Sequence, residues 1–150
     1  MDEPITRLST DQCWAFLRTH ELGRLAYHLV EEVHITPINY AVDHDPVSGR
    51  RSLLFRTAEG SKLLGIVMNA DVAFEVDDVE GEHATSVILR GRGRLLEEDE
   101  EHRAENVPLR PWVGTPKYHV VEILPRVITG RAFVLHRPWL HLTLDGMGQE

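Results

Sequence analysis

The chain is poor in cysteine, in positive charge and in long apolar stretches. One cysteine, Cys13, among 150 residues allows neither a disulfide within the chain nor a zinc site built on cysteines. Lys and Arg number 16 against 24 Asp and Glu, and the resulting charge of −8 disfavours non-specific nucleic-acid binding, which needs a basic surface. Because no apolar stretch approaches the ~20 residues of a membrane-spanning helix, and the acidic N-terminus is unlike a secretory signal, we expect a soluble cytoplasmic protein.

The hydrophobic share of the sequence is sufficient for one folded domain. At 42% hydrophobic residues, the chain can bury a single core, and we expect residues 1–150 to form one domain. Segments rich in β-branched residues, or with alternating apolar residues, predict six strands. These segments are Leu22–Val30, Val33–Val42, Arg51–Arg56, Val72–Val76, Thr85–Leu96 and Val120–Leu135, the last interrupted by Pro125.

Three helices are expected to flank these strands. Ser9 and Gln12 have the spacing of a capping box, which predicts a helix with Cys13, Trp14 and Leu17 on its buried side. Apolar residues at helical spacing predict a second helix over 61–69, and acidic residues predict a short third helix beginning near residue 97. The pattern therefore indicates a mainly β protein with flanking helices, in the form of a six-stranded antiparallel barrel.

One strand carries a feature that suits a barrel. Gly91 and Gly93 share one face of this strand, whereas Arg90, Arg92 and Arg94 share the other. Glycines in a strand allow the sharp bend that closes a barrel. For the arginines, we expect pairing with nearby acidic residues rather than a role in substrate binding.

Evidence for a metal site or a nucleophile is weak in this sequence. Nine histidines are present, and His28 and His34 could face each other across the first hairpin. No third ligand at a suitable spacing accompanies this pair, however, and a metal site needs three or four converging ligands. The sequence contains no Gly-x-Ser-x-Gly motif, and Cys13 lies on an apolar helix stripe. We therefore predict no metal site and assign no catalytic residue.

The segment that ends the third strand offers groups that bind phosphate. Arg56 and Thr57 close the strand, and Ser61 and Lys62 follow at the start of the next helix. A helix N-terminus favours an anion, while a guanidinium, an ammonium and two hydroxyls can donate hydrogen bonds to it. The alternative is that Ser61 only caps the helix and that both basic side chains are solvated.

Five segments of the sequence carry a family resemblance, and they occur in the order Leu22–Tyr27, Ile35–Tyr40, Phe55–Lys62, Asn69–Asp78 and Ser86–Arg94. In this order they resemble the pyridoxamine 5′-phosphate oxidase-like family of flavin-binding split barrels, in its nitroimidazole-resistance-like branch. The resemblance extends over about residues 8–98 and is looser beyond them. It implies a homodimeric split β-barrel with flavin mononucleotide (FMN) in a groove between the subunits.

The resemblance also implies roles for particular residues. Arg56, Thr57, Ser61 and Lys62 would hold the flavin phosphate. The strand segment Pro37, Ile38 and Asn39 would border the isoalloxazine ring with its backbone. Arg56-Thr57-Ala58 replaces the His-Ser-Ala type of sequence found in many members. The C-terminal part lacks the substrate segment of the vitamin B6 oxidases, so oxidation of pyridoxamine phosphate is not expected.

The expected function is therefore an FMN-dependent oxidoreductase that transfers hydride or electrons to an unidentified small substrate. Three alternatives stay open. The first is a reductase that uses the deazaflavin F420, since related split barrels hold it in a similar groove. The second is a non-catalytic flavin or haem carrier or sensor, and the third is an interaction protein that has the barrel without a cofactor.

Overall fold

The computed structural model describes residues 4–57, 65–66, 71–109 and 119–136 of the chain. These residues form a mainly β structure in which strands curl around a central core. The elements are β1 (Ile5–Arg7), α1 (Thr10–Arg18), β2 (Leu22–Leu29), β3 (Glu32–Asn39), β4 (Ala41–His44), β5 (Arg51–Thr57), β6 (Asp71–Glu80), β7 (His83–Leu95), a 3₁₀ helix (Glu98–Glu105) and β8 (His119–Val134).

Helix α1 begins where the capping box predicts. The Gln12 backbone N–H donates to Ser9 Oγ at 3.1 Å, and the Ser9 backbone N–H donates to Gln12 Oε1 at 2.8 Å. These bonds satisfy amides that the first helical turn leaves without partners. Cys13, Trp14 and Leu17 are buried in the main core, as the apolar stripe predicts.

The described strands pair antiparallel in the order β3-β2-β6-β7-β8-β5-β4, with β1 added to β8. Their number is eight rather than the predicted six. The short β1 was not expected, and the second predicted strand divides into β3 and β4 at Tyr40. At Tyr40 the chain stops pairing with β2 and begins to pair with β5. The two strands at the ends of the sheet, β3 and β4, are therefore consecutive in sequence. The sheet consequently closes into a split barrel.

Strand β5 is buried on both faces because it lies between two apolar clusters. Leu53 and Phe55 belong to the main core inside the barrel, together with residues of α1, β2, β6 and β7. Leu54 belongs to a second cluster on the outer face, which also contains Ala41, Leu96, Ala104, Leu109 and Val120. Alternation along β5 therefore assigns each side chain to the inner or the outer face.

Strand β8 runs through Pro125 rather than stopping there. Gly91 pairs with Pro125 but Arg90 pairs with Val127, so a bulge takes up one extra residue of β8. A Cβ atom at Gly91 would overlap the Leu124 carbonyl oxygen. The glycine thus allows the close approach of two backbones, which fits the predicted bend. Separately, no helix in the described ranges is long and apolar enough to cross a membrane.

Candidate functional site

The structure brings the two predicted binding segments to the same point of the barrel. Strands β4 and β5 are paired as far as Ala41 and Leu54. Beyond this pair β3 and β5 separate from each other, although some of their residues remain in contact. Asn39 and Arg56 are the next residues on the outer face of the two diverging strands. The end of β3 and the end of β5 therefore flank the split in the barrel.

Neighbouring residues of these segments point to opposite faces. Ile38 and Thr57 are buried, and Ile38 belongs to the main core. Pro37, Asn39 and Arg56 lie on the outer face, since strand side chains alternate. The Thr57 hydroxyl and the Arg56 guanidinium thus leave β5 on different sides. A phosphate contact shared by both residues depends on the turn after Thr57, which is outside the described residues.

The helix expected after this turn is described at two positions only. Ser61 and Lys62 lie outside the described residues, whereas Gly65 and Ile66 are helical, as predicted. Ile66 is buried in the main core. A Cβ atom at Gly65 would lie 2.6 Å from the Tyr27 ring and 2.7 Å from the His28 carbonyl oxygen. Glycine therefore lets the backbone at position 65 pack directly against β2.

A cavity of about 720 Å³ opens beside the end of β3. Leu22 and Arg24 line it, and these residues pair across the strands with Asn39 and Pro37. Tyr40 lines it as well and donates from its buried hydroxyl to the Leu17 carbonyl at 2.6 Å. Burial raises the pKa of Tyr40, so its hydroxyl stays protonated and acts as a fixed donor.

Arg24 connects two carboxylates at the edge of this cavity. Its guanidinium donates to Glu75 through Nε at 2.8 Å and also through Nη2, and it lies 2.9 Å from Asp77. Burial raises the pKa of Glu75, the interaction with Asp77 raises it further, and Arg24 opposes both effects. Arg24 is therefore held in place by two acids.

A buried carboxylate organises the outer face of β5, the face that also carries Arg56. Glu122 of β8 is only 3% exposed and accepts a hydrogen bond from Ser52 Oγ at 2.6 Å. It also accepts bonds from Arg94 Nε at 2.9 Å and from Arg103. Burial alone would raise the pKa of Glu122, but the bonds from Arg103 and Ser52 outweigh it and lower the pKa.

Two further acids complete this network and join it to the 3₁₀ helix. Arg103 donates to Asp43 at 2.7 Å, and Arg94 donates to Glu100 at 2.6 and 3.0 Å. The bond from Arg94 lowers the pKa of Glu100 to about 2. The network lines a cavity of about 810 Å³ and links β4, β5, β7 and β8. No sequence motif indicates it, because its members are widely separated along the chain.

The structure also decides several weaker sequence predictions. Pairing with acids is confirmed for Arg94, whereas neither Arg90 nor Arg92 forms an ion pair within the described residues. His28 and His34 do not face each other, because His28 pairs with Val33 and His34 with Tyr27. The hypothesis of a histidine pair across the hairpin is therefore wrong.

Comparison with known proteins decides the family. A sequence model of the pyridoxamine 5′-phosphate oxidase family matches residues 9–132. The chain belongs to this family. An uncharacterized protein of Mycobacterium tuberculosis is 46% identical over 84 residues, covering 55% of this chain and 76% of that protein. The predicted resemblance is thereby confirmed. The matched range of residues also covers the segments that carry the candidate site.

Solved structures agree with the split-barrel fold of the family. A protein from Corynebacterium glutamicum is 34% identical with a TM-score of 0.75, covering 91% of this chain and 98% of that one. The FAD binding protein from Mycobacterium smegmatis is 40% identical with a TM-score of 0.71, covering 87% of this chain and all of that one. The predicted mainly β split barrel is confirmed.

Proposed function

We propose that the chain binds flavin mononucleotide at the split of the barrel and acts in the cytoplasm as an oxidoreductase on a small substrate. One observation carries this proposal. Asn39 and Arg56 lie on the same outer face, at the point where β3 and β5 separate from each other. A planar guanidinium placed beside a strand with an exposed edge suits a ligand that has both a phosphate and a flat polar ring.

The known relatives favour a flavin over other ligands. The FAD binding protein from M. smegmatis shares 40% of its residues with this chain. FMN and FAD have the same isoalloxazine ring and the same first phosphate, so one site of this design suits either. The deazaflavin F420 is the competing cofactor, because it presents a similar ring and phosphate.

In this proposal the residues bind and orient, and the cofactor supplies hydride and electron transfer. Arg56 pairs with the phosphate, and Thr57, Ser61 and Lys62 add donors at the turn and helix that follow. Pro37, Ile38 and Asn39 border the ring through their backbone. The cavity beside Leu22 and Arg24 gives space next to this strand for a substrate.

A second copy of the chain would complete the site. Val33 and Ile35 on the outer face of β3 are 71% and 70% exposed, and Val30 at the adjoining turn is 74% exposed. Pro37 continues the same face toward the split. Exposed apolar residues that follow one strand are typical of an interface. The homodimer would thus cover the strand that borders the ring.

Light scattering tests the dimer. We expect the wild-type protein at micromolar concentration to have twice the mass of the chain, and Ile35→Glu to shift it toward the monomer because a buried charge is costly. Val47→Glu is the matched control, since Val47 is 94% exposed in a turn away from β3. A monomeric wild-type protein would contradict the shared site.

Absorbance spectroscopy tests the cofactor. FMN added to the wild-type protein should bind saturably, and the Arg56→Ala/Lys62→Ala double variant should bind at least ~10-fold more weakly because charge-assisted phosphate contacts are lost. Arg50→Ala is the control, since this exposed arginine lies in the turn before β5. Binding of F420 but not FMN would favour the deazaflavin reductase, and binding of neither would refute both enzymes.

A further inference from the structure

Three arginines line a cavity near the end of β8 that is remote from Arg56. Arg7 of β1, Arg90 of β7 and Arg131 of β8 line a cavity of about 560 Å³. Arg131 lies 11 residues after Val120, the residue of β8 that pairs with Arg56. At ~3.3 Å per residue, that is more than 30 Å along the strand. Pro37 is nearer to this cavity than Arg56 is, because Pro37, Arg24, Glu75 and Ile88 are in register across β3, β2, β6 and β7. The cavity nevertheless shares no described lining residue with the cavity beside β3, so the two cavities are distinct.

Strand pairing brings the groups of this cavity to one face. Arg131 pairs with Arg7 on one side and with Ser86 on the other. Ile88 and Thr129 form the next pair on the same face. Two like charges directly opposite each other destabilise a sheet. Both side chains are exposed, so water weakens this repulsion, and the pairing places two guanidinium groups side by side where one anion can contact both.

Among the residues that the structure describes, no acidic side chain lines this cavity. Within the described ranges, none of its three arginines forms an ion pair, whereas Arg24, Arg94 and Arg103 each contact at least one carboxylate. Asp77, which pairs with Ser86 across β6 and β7, is bound to Arg24. A protein with a net charge of −8 therefore has a local cationic site whose charge is not compensated by the acids of the described part of the chain.

We propose that this cavity binds a small phosphate monoester with an apolar body. Arginine guanidinium groups are well matched to phosphate oxygens, and the Ser86 and Thr129 hydroxyls can donate further bonds. Ile88 and Phe133 supply an apolar wall for the rest of the molecule. The site goes beyond the proposed flavin function and does not depend on it.

Calorimetric titration with phenyl phosphate tests the site in protein already saturated with FMN, or in protein alone if FMN does not bind. We expect saturable binding that weakens at least ~10-fold in Arg131→Gln and in Arg7→Gln, and that weakens with added salt. Arg50→Gln is the control, because it removes one exposed positive charge elsewhere. Because Arg7 and Arg131 repel each other, we also expect neither variant to lower the melting temperature of unliganded protein.

Absence of saturable binding, or equal binding by wild type and both variants, would overturn the proposal. If Arg56→Ala rather than Arg131→Gln abolished phenyl phosphate binding, the anion would belong to the flavin site, and only this inference would fail. If the two variants altered the molecular mass without altering phenyl phosphate binding, the arginines would serve the contact between subunits, which also refutes the ligand site. Loss of FMN binding with phenyl phosphate binding intact would refute the flavin proposal alone.

Discussion

Glu122 shows how a single buried charge can hold several elements together. Its carboxylate accepts bonds from Ser52, Arg94 and Arg103, which belong to β5, β7 and the 3₁₀ helix. A buried carboxylate is tolerated only where such partners replace water. The residue is therefore a structural centre on the outer face of β5, the same face that presents Arg56.

Removing this charge should destabilise the protein strongly. We expect Glu122→Gln to lower the free energy of unfolding by about 3 kcal/mol, because Arg94 and Arg103 lose a buried partner. Urea denaturation followed by circular dichroism measures the effect. Glu98→Gln in the exposed first turn of the 3₁₀ helix is the control, and an equal loss in both variants would contradict the role of Glu122.

The pair of Glu100 with Arg94 makes stability depend on pH in a defined range. The pKa of Glu100 is lowered from 4.5 to about 2, so its contribution is complete above pH 4.5 and is lost as the pH falls toward 2. Glu100→Gln should therefore melt below the wild type at pH 7. We expect this difference to shrink progressively below pH 4.5, and a difference that stays constant down to pH 2 would argue against the pair.

At the scale of elements, the bulge opposite Pro125 depends on the lack of a side chain at Gly91. Gly91→Ala should lower the free energy of unfolding by about 1–3 kcal/mol, since its Cβ would overlap the Leu124 carbonyl oxygen and force the backbones apart. Thermal and urea unfolding measure this. Thr85→Ala, in the same strand, is the comparison, and Gly91→Ala being no less stable would show that the strands can separate freely.

The start of α1 tests a local prediction made from the sequence. Ser9→Ala removes the acceptor for the Gln12 amide and should cost about 1 kcal/mol of stability. Ser9→Asp should retain most of it, because Asp caps a helix equally well. Urea denaturation distinguishes them, and two equally stable variants would show that the cap contributes nothing measurable.

Sequence patterns predicted elements well wherever the cause was local. The capping box of Ser9 and the alternation in β6 depend on residues close in sequence, and both are confirmed. The break at Tyr40 could not be predicted, because Ile38, Tyr40 and Val42 continue one inward alternation while the pairing partner changes from β2 to β5. Only tertiary pairing distinguishes the two strands.

The candidate site was predictable in part for the same reason. The family resemblance predicted that β3 and the end of β5 both contribute to the site, and the structure places these two segments beside each other. The ion network was not predictable, because Asp43 and Arg103 are 60 residues apart and Ser52 and Glu122 are 70 apart. Arg56 and Thr57 point in opposite directions because neighbouring side chains alternate along a strand, which the prediction of one shared phosphate contact did not take into account.

For the whole molecule, net charge is a poor guide to local chemistry. The chain has a charge of −8, yet Arg7, Arg90 and Arg131 form one cationic cavity and Arg56 lies at the split of the barrel. Arg24 and Arg103, by contrast with the arginines of this cavity, are paired with acids. The net charge therefore does not predict where an anion binds.

The affinity for FMN relative to riboflavin tests the central claim most directly, because the two ligands differ only in the phosphate. We expect wild-type protein to bind FMN at least ~10-fold more tightly than riboflavin in a fluorescence titration, and Arg56→Ala to lose most of that preference. Arg50→Ala should retain it. Equal affinities for both ligands in the wild type, or a preference unchanged by Arg56→Ala, would contradict phosphate anchoring at the end of β5.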